Sequence, residues 1–185
     1  LTGEVWDYFL VAPFFNAPPF APSQVRSLCL IGLAAGTVSK QYARVYGDIP
    51  IDGVEIDPEI VRVGREHFAM NEPSLNAIIQ DGRYFLRNSQ KRYSVIAVDA
   101  YRPPYIPFHL TTLEFFQDVY AHLEDNGVAA INVGRAPSDY SLVNAIAQTM
   151  RAVFPSVYVL DTPDRDGELA SCLVVATRQP TRLDN

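Results

Sequence analysis

The sequence predicts an α/β fold in which a doubly wound, mostly parallel seven-stranded sheet ends in an antiparallel C-terminal edge. Short apolar runs alternate with helical patterns along most of the chain, an order that gives parallel strands with helices on both faces of the sheet. The last two apolar runs have no helical pattern between them, so we expect them to pair as antiparallel strands. The first run ends in a turn that contains Gly32 and Gly36, after which a helix begins.

The N-terminal region, 1–23, is predicted to be a short aromatic helix followed by a proline-rich connector. Trp6, Phe9 and Leu10 have near-helical spacing and stand before Pro13, which ends such a pattern. This aromatic cluster is either core and interface or one wall of a substrate pocket. The remaining residues, 24–185, are predicted to form one α/β domain.

Strands are predicted at about 27–31, 51–56, 76–80, 93–99, 128–133, 156–161 and 170–177. Helices are predicted at about 37–46, 58–70, 83–88 and 112–123, and from a cap at Ser138 or Asp139 to Val153. Asp57 followed by Pro58 is an N-cap acceptor with proline at the first helical position. Two turns are expected, one at 125–127 before the fifth strand and a polar one at 161–167 between the last two strands.

The composition is that of one ordinary globular domain, with 185 residues, 48% hydrophobic and 19% charged. The net charge of −6 and the lack of a basic run argue against non-specific nucleic-acid binding. Cys29 and Cys172 stand inside apolar runs and are predicted to be buried, not paired or metal-bound. No stretch reaches the length of a membrane span, so a cytoplasmic location is expected, with membrane contact only through segments outside this sequence.

Carboxylates follow three of the predicted strands, at the edge of the sheet where a doubly wound fold binds its ligand. Glu55 stands about 20 residues after the glycine turn, a spacing typical of an acid that binds ribose hydroxyls. Asp81 is placed to accept a hydrogen bond from an adenine amino group, and Asp99 to lie beside the reacting group. The glycine turn lets a ligand approach the backbone closely, and free N–H groups at the start of the next helix suit a polar ligand.

Other site classes fit the residues less well. Nicotinamide cofactors favour Gly-x-Gly-x-x-Gly, whereas this turn spaces its glycines by four positions. The sequence has no Gly-Lys-Ser/Thr motif and no nucleophile elbow. His67, His109 and His122 lack the spacing of metal ligands, so no metal is expected. His109 follows the loop after Asp99 and is kept as a candidate pocket residue.

Six motifs together resemble a known family. They are Ile31-Gly32-Leu33-Ala34-Ala35-Gly36-Thr37, Val54-Glu55-Ile56-Asp57-Pro58, Asp81-Gly82-Arg83, Tyr93-Ser94-Val95-Ile96-Ala97-Val98-Asp99, Trp6-Asp7-Tyr8-Phe9 and Leu110-Thr111-Thr112-Leu113-Glu114-Phe115-Phe116. This set resembles the spermidine synthases, polyamine aminopropyltransferases with the Rossmann-like class I methyltransferase fold. The likeness is greatest to bacterial spermidine synthase-like proteins, some of which are fused to membrane segments, and it covers most of the chain.

The resemblance implies aminopropyl transfer from decarboxylated S-adenosylmethionine to a small amine, with Asp99 taking the proton from the attacking nitrogen. S-adenosylmethionine itself is the other donor it allows, and no metal is implied. The implied donor site consists of Gly32, Leu33, Ala34, Gly36, Glu55, Ile56, Asp81, Gly82, Asp99 and Ala100. Candidate substrate-pocket residues are Trp6, Tyr8, Tyr101, Arg102 and His109.

The chain departs from the family at the acceptor half. Ala35 stands where the glycine turn of the family carries an acid, and Arg102 stands where a second acid follows the first. The family's N-terminal β domain has no counterpart in this sequence. Two alternatives therefore remain open: methyl transfer from S-adenosylmethionine to a small molecule, with Arg102 binding an anionic group, and a nucleoside-binding domain without catalysis. A homodimer is allowed for.

Overall fold

A computed structural model describes residues 1–102, 105–163 and 169–182. The strands are β1 (Leu28–Ile31), β2 (Ile51–Glu55), β3 (Leu75–Ile79), β4 (Tyr93–Val98), β5 (Leu123–Arg135), β6 (Ser156–Asp161) and β7 (Ala170–Thr177). The α-helices are α1 (Val5–Phe9), α2 (Thr37–Tyr46), α3 (Pro58–His67), α4 (Gly82–Asn88), α5 (Leu113–Ala121) and α6 (Ser141–Arg151). Short 3-10 helices cover Ala12–Phe15, Pro22–Gln24 and Phe108–Leu110.

The strands form one sheet in the order β3-β2-β1-β4-β5-β7-β6. The first five strands pair in parallel, whereas β7 is antiparallel to both β5 and β6. From β1 the strand order runs outward through β2 to β3 on one side, and through β4 to β5 on the other. The order therefore reverses between β1 and β4, and a crevice forms there at the carboxyl ends of these two strands. The predicted fold class is confirmed.

Helices cover both faces of the sheet, so two hydrophobic cores lie on either side of it. The first core contains buried residues of α1, α2 and α3, including Phe9 and Tyr42. The second core contains buried residues of α4, α5 and α6, including Phe115 and Met150. Residues of the central strands alternate between the two cores, since Leu28 and Leu30 belong to the first and Ile31 to the second.

The N-terminal region packs against the first core. Val5 and Phe9 are buried, and α1 ends before the 3-10 helix that contains Pro13, as predicted. The hydroxyl of Tyr42 donates to the carbonyl oxygen of Phe9 at 2.7 Å, and Tyr46 donates to that of Leu10. These contacts attach α1 to α2, the helix that follows the glycine turn.

Most predicted bounds lie within a few residues of those observed, but the fifth strand starts earlier than expected. The predicted turn at 125–127 is an irregular part of β5, because Leu123 already pairs with Tyr93 and the register then shifts. The carbonyl oxygen of Gly127 accepts from the N–H of Arg178, which holds this segment in the sheet. The predicted polar turn after β6 lies mostly at 164–168, outside the described residues.

The cap of α6 is also displaced. The N-cap is Tyr140, which makes no side-chain cap bond, and neither Ser138 nor Asp139 occupies that position. Asp139 still supports the helix start, because its Oδ1 accepts from the N–H of Ser141 at 2.9 Å. The expected capping residue thus acts from one position further upstream. Among the described helices, none is long and apolar enough to cross a membrane.

Candidate active site

One register row across the sheet brings four candidate site positions together. Ile31 pairs with Val54 and with Val98, and Val98 pairs with Ile131. The residues that follow these four are Gly32, Glu55, Asp99 and Asn132, so they lie side by side at the carboxyl edge of β2, β1, β4 and β5. The sequence predicted the first three as site residues and missed the fourth.

The glycine turn has a backbone shape that needs its glycines. Gly32 has φ +90°, and a Cβ there would lie 2.5 Å from the carbonyl oxygen of Asp99. Gly36 has φ +79°, and its Cβ would lie 2.6 Å from Cγ of Met70. Ala34 between them also has a positive φ, 46°, and is exposed. The glycines therefore allow the backbone of the turn to pack closely against the end of β4 and against Met70.

Glu55 is directed at this turn. Its Oε2 accepts from the N–H of Ala34 at 3.1 Å, and its Oε1 accepts from the N–H groups of Ile56 at 3.0 Å and Asp57 at 3.3 Å. The side chain is buried, whereas Ile56 is 67% exposed. The carboxylate is thus fixed by three backbone donors, next to an apolar side chain that a ligand could cover. Asp57 caps α3 as predicted, accepting from the N–H of Glu59.

Some of the residues predicted to bind the adenosyl donor have side chains that do not face the crevice. The side chain of Leu33 is buried in the core, where its Cδ1 lies against Gly53, so only its backbone belongs to the turn. Gly82 is buried against β1, because a Cβ there would lie 2.3 Å from Cγ2 of Ile31. Ala100 lies behind Gly32, and its Cα is among the atoms that a Cβ at Gly32 would meet.

Asp81 starts α4 and contacts a histidine. Its Oδ1 accepts from the N–H of Tyr84 at 2.9 Å, and its Oδ2 lies 2.8 Å from Nε2 of His109. Burial acts to raise the pKa of Asp81, but the hydrogen bonds from Tyr84 and His109 outweigh it and hold that pKa below its ordinary value. The sequence placed His109 in the acceptor pocket, and the structure places it on Asp81.

Asp99 is the most perturbed carboxyl group of the crevice. Trp6 donates its indole Nε1–H to Oδ2 at 2.9 Å, and Asn132 donates its Nδ2–H to Oδ1 at 2.8 Å. Burial raises the pKa of Asp99 to about 6, although both hydrogen bonds favour the charged form. A carboxyl group with this pKa is poised to exchange a proton near neutral pH.

Asn132 has one polar atom to spare. It is 7% exposed, and its Oδ1 is buried without a hydrogen-bond partner among the described residues. Asn132 and Trp6 both line a cavity of about 210 Å³ between the start of α1 and the segments that flank β7. The other lining residues are Gly3, Glu4, Val5, Thr162, Pro163, Leu169, Ala170 and Ser171. The feature of the sequence that could have identified Asn132 is that a polar amide stands inside the apolar run of the fifth strand.

The other pocket candidates lie around this centre with different roles. The hydroxyl of Tyr101 donates to the carbonyl oxygen of Asn132 at 3.0 Å and accepts from the N–H of Gly134 at 2.7 Å. Burial raises its pKa to about 12, so it fixes the end of β5 as a neutral group. Arg102 is exposed, with its backbone bonded to that of Tyr105. Tyr8 packs against the first core.

A larger cavity, of about 490 Å³, lies at the opposite end of the sheet. Arg26 and Glu124 line it, and they bind each other at 2.6 Å. Two of its charged groups therefore bind each other, and none of the crevice residues lines it. Among the described residues, no group of three or more His, Cys, Asp or Glu side chains is arranged to hold a metal ion.

Comparison with known proteins gives a consistent pattern. The spermine/spermidine synthase domain matches residues 40–180. A probable polyamine aminopropyl transferase from Bifidobacterium longum is 34% identical over 156 residues, covering 83% of this chain and 33% of the relative. A polyamine aminopropyltransferase from Vibrio vulnificus is 31% identical over 153 residues, covering 80% of this chain and 50% of the relative. The chain thus spans a third to a half of the length of these relatives.

The fold also matches a solved structure. The crystal structure of spermidine synthase from Thermotoga maritima superimposes with a TM-score of 0.78 at 18% identity. The match covers 96% of this chain and 60% of that one. At this identity the likeness concerns the fold, including the seven-stranded sheet and its crevice.

Proposed function

The chain belongs to the spermine/spermidine synthase domain family, and on that premise we propose that it transfers an aminopropyl group from decarboxylated S-adenosylmethionine to a small amine. One observation carries the proposal: the carboxyl group of Asp99 is partly buried and hydrogen-bonded to both Trp6 and Asn132, beside a cavity that these two residues line. A general base must lie next to the acceptor and have a pKa near the working pH. Asp99 combines both properties.

The residues of the crevice suit an adenosyl donor. The glycines let the Gly32–Gly36 turn pack directly against Asp99 and Met70, and the turn exposes only the short side chain of Ala34 to a donor. Oε2 of Glu55 accepts one backbone N–H and keeps an acceptor position for a ribose hydroxyl, and Ile56 offers an exposed apolar surface to a base. Asp81 offers a carboxylate to an adenine amino group. The donor then lies along the edge of the sheet, with its reactive carbon directed toward Asp99.

The acceptor enters from the cavity side. An amine is protonated in neutral water and is then no nucleophile, so it needs a carboxylate that binds it and removes a proton. Asp99 takes that proton, while the free Oδ1 of Asn132 accepts a hydrogen bond from a second N–H of the same nitrogen. The nitrogen lone pair forms the new C–N bond, the C–S bond breaks, and the sulfur leaves as a neutral thioether. Most of the rate arises from alignment of the two reactants.

Calorimetric titration tests the donor assignment. Decarboxylated S-adenosylmethionine, S-adenosylmethionine and methylthioadenosine are titrated side by side into the protein. We expect the decarboxylated donor to bind at least about tenfold more tightly than S-adenosylmethionine. The reason is that the row formed by Gly32, Glu55, Asp99 and Asn132 contains no cationic side chain that could bind the carboxylate of S-adenosylmethionine. A preference for S-adenosylmethionine would favour methyl transfer, and a lack of binding by all three would contradict the assignment of the crevice.

Asp99→Asn tests the base. The variant keeps the size of the side chain but cannot accept the proton, so we expect donor affinity within about threefold of wild type and aminopropyl transfer lowered by about 10²–10⁴-fold. Transfer is measured as methylthioadenosine formed with putrescine and with simple monoamines as acceptors. Unchanged turnover in Asp99→Asn would show that another group removes the proton.

A further inference from the structure

His109 makes a contact that the proposed chemistry does not use. Its Nε2 lies 2.8 Å from Oδ2 of Asp81, and its side chain is one-third exposed. The pKa of Asp81 is held low, so its carboxylate is ionised and can only accept. Nε2 of His109 therefore carries the hydrogen and donates it. The imidazole thus belongs to the nucleoside end of the crevice.

Three elements hold His109 in place. Its neighbour Leu110 is buried in the second core, which anchors the 3-10 helix. Arg83 on α4 donates from Nη1 to the carbonyl oxygen of His109 at 3.2 Å. The same guanidinium reaches α5, where its Nε lies 3.6 Å from Oδ2 of Asp118. The backbone of His109 is therefore fixed relative to both flanking helices, and the bond to Asp81 holds its imidazole.

The contact with His109 goes beyond what the helix cap needs. At the start of α4 the carboxylate of Asp81 interacts with the backbone N–H groups of Tyr84, which binds Oδ1, and of Arg83. Both donors come from the first turn of the same helix, and the terminal torsion of an aspartate is broad. The second bond, from His109 to Oδ2, fixes the plane of the carboxylate. An ionised carboxylate has about four acceptor positions, so positions remain for a ligand donor.

We propose that His109 is a positioning residue that orients the Asp81 carboxylate toward the amino group of adenine and so sets the preference for adenine over a 6-oxo purine. This inference rests on the proposed function, which places the adenine at Asp81. A base with oxygen in place of the amino group sets an acceptor against the partly buried carboxylate, which then lacks that donor. That penalty is largest when the carboxylate cannot turn away. Without His109 the carboxylate reorients and the discrimination declines.

Two substitutions of His109 differ in one respect that matters. In Gln the side-chain amide nitrogen is separated from Cα by the same number of bonds as Nε2 of His, whereas in Asn it is one bond shorter. His109→Gln can therefore restore the bond to Asp81, and His109→Asn cannot. The measured quantity is the ratio of dissociation constants for methylthioinosine and methylthioadenosine. We expect His109→Gln to keep this ratio within about threefold of wild type and His109→Asn to lower it about tenfold, the effect of one hydrogen bond to a charged group.

Controls separate this inference from the proposed function. His67→Asn changes an exposed histidine on α3 and should leave the ratio unchanged. Asp81→Asn should abolish the preference whatever the role of His109, so a preserved ratio there would refute the adenine assignment itself. If Asp81→Asn loses the preference for methylthioadenosine while His109→Asn keeps the wild-type ratio of dissociation constants, only the role of His109 is refuted. If His109→Asn does not fold, His109→Phe keeps the ring volume without its nitrogens and gives the same decision.

Discussion

The indole N–H of Trp6 donates a hydrogen bond to the carboxylate of Asp99 at 2.9 Å, although the two residues are 93 positions apart in the sequence. Trp6 reaches this position because α1 packs against the first core through Phe9 and Val5. The contact covers one side of Asp99, which is partly buried. If Asp99 is the base, as we propose, the N-terminal region helps to set its protonation.

Trp6→Phe keeps the aromatic wall and removes the donor. The ionised form of Asp99 then loses one of its two side-chain donors, so its pKa should rise further above 6. We expect the lower limb of the pH profile of kcat/KM to move up by about one pH unit, since a hydrogen bond to a charged group contributes about 1.5 kcal/mol. Tyr8→Phe is the matched control, because Tyr8 lies on the same helix and packs against the core. Superimposable profiles for wild type and Trp6→Phe would contradict this role.

Asp99 should also make stability depend on pH. Its pKa is raised from 3.8 to about 6, so between these values the folded protein binds more protons than the unfolded chain. Stability therefore falls as pH rises through this window, by up to about 3 kcal/mol, compared with a variant that cannot ionise. Urea unfolding of wild type and Asp99→Asn at pH 4, 5, 6 and 7.5 measures the difference. Asp48 is exposed, so the stability of the control variant Asp48→Asn should change with pH as that of wild type does. If the free energy of unfolding of Asp99→Asn and of wild type changed with pH in parallel, the raised pKa of Asp99 would be ruled out.

The sequence predicts those parts of the site that depend on local patterns. Gly32, Glu55 and Asp99 each follow an apolar run directly, and parallel pairing then places strand ends at one edge whatever the details of packing. Asp57 is equally local, because an Asp-Pro pair starts a helix by its own chemistry. These predictions needed the order of the elements and no knowledge of tertiary contacts.

Contacts between distant segments could not be predicted in the same way. The approach of Trp6 to Asp99 depends on how α1 packs, and the bond from His109 to Asp81 depends on where a 3-10 helix crosses α4. Asn132 was hidden because it stands inside an apolar strand, where an amide has no local signature. Its role follows only from the parallel register that places it beside Asp99.

Glu55→Gln tests the ribose contact. The change keeps the shape of the side chain but removes the charge and turns one acceptor oxygen into a donor, which then faces the N–H groups of Ala34 or Ile56. We expect methylthioadenosine to bind at least about tenfold more weakly and the preference for it over its 2′-deoxy analogue to disappear. Calorimetry measures both. Glu59→Gln, on the exposed face of α3, is the control, and wild-type affinity in Glu55→Gln would place the ribose elsewhere.

Gly32→Ala and Gly47→Ala separate two costs that a side chain at a glycine can incur. Gly32 has φ +90° and Gly47 has φ +83° with ψ −159°, so both substitutions force an L-residue into a backbone conformation that favours glycine, at about 1–3 kcal/mol. They differ in space, because the new Cβ at Gly47 meets no atom within 4 Å, whereas at Gly32 it would lie 2.5 Å from the carbonyl oxygen of Asp99. That oxygen is backbone and cannot rotate away, so β1 and β4 must separate.

We therefore expect Gly32→Ala to lower the free energy of unfolding by about 2 kcal/mol more than Gly47→Ala does, as measured by urea unfolding. The same displacement moves Asp99 away from Trp6 and Asn132, so donor binding and turnover should fall in Gly32→Ala and stay near wild type in Gly47→Ala. Equal losses of stability in the two variants would mean that backbone conformation alone requires the glycine. The larger loss at Gly32 would instead show that the turn is glycine because the base lies directly behind it.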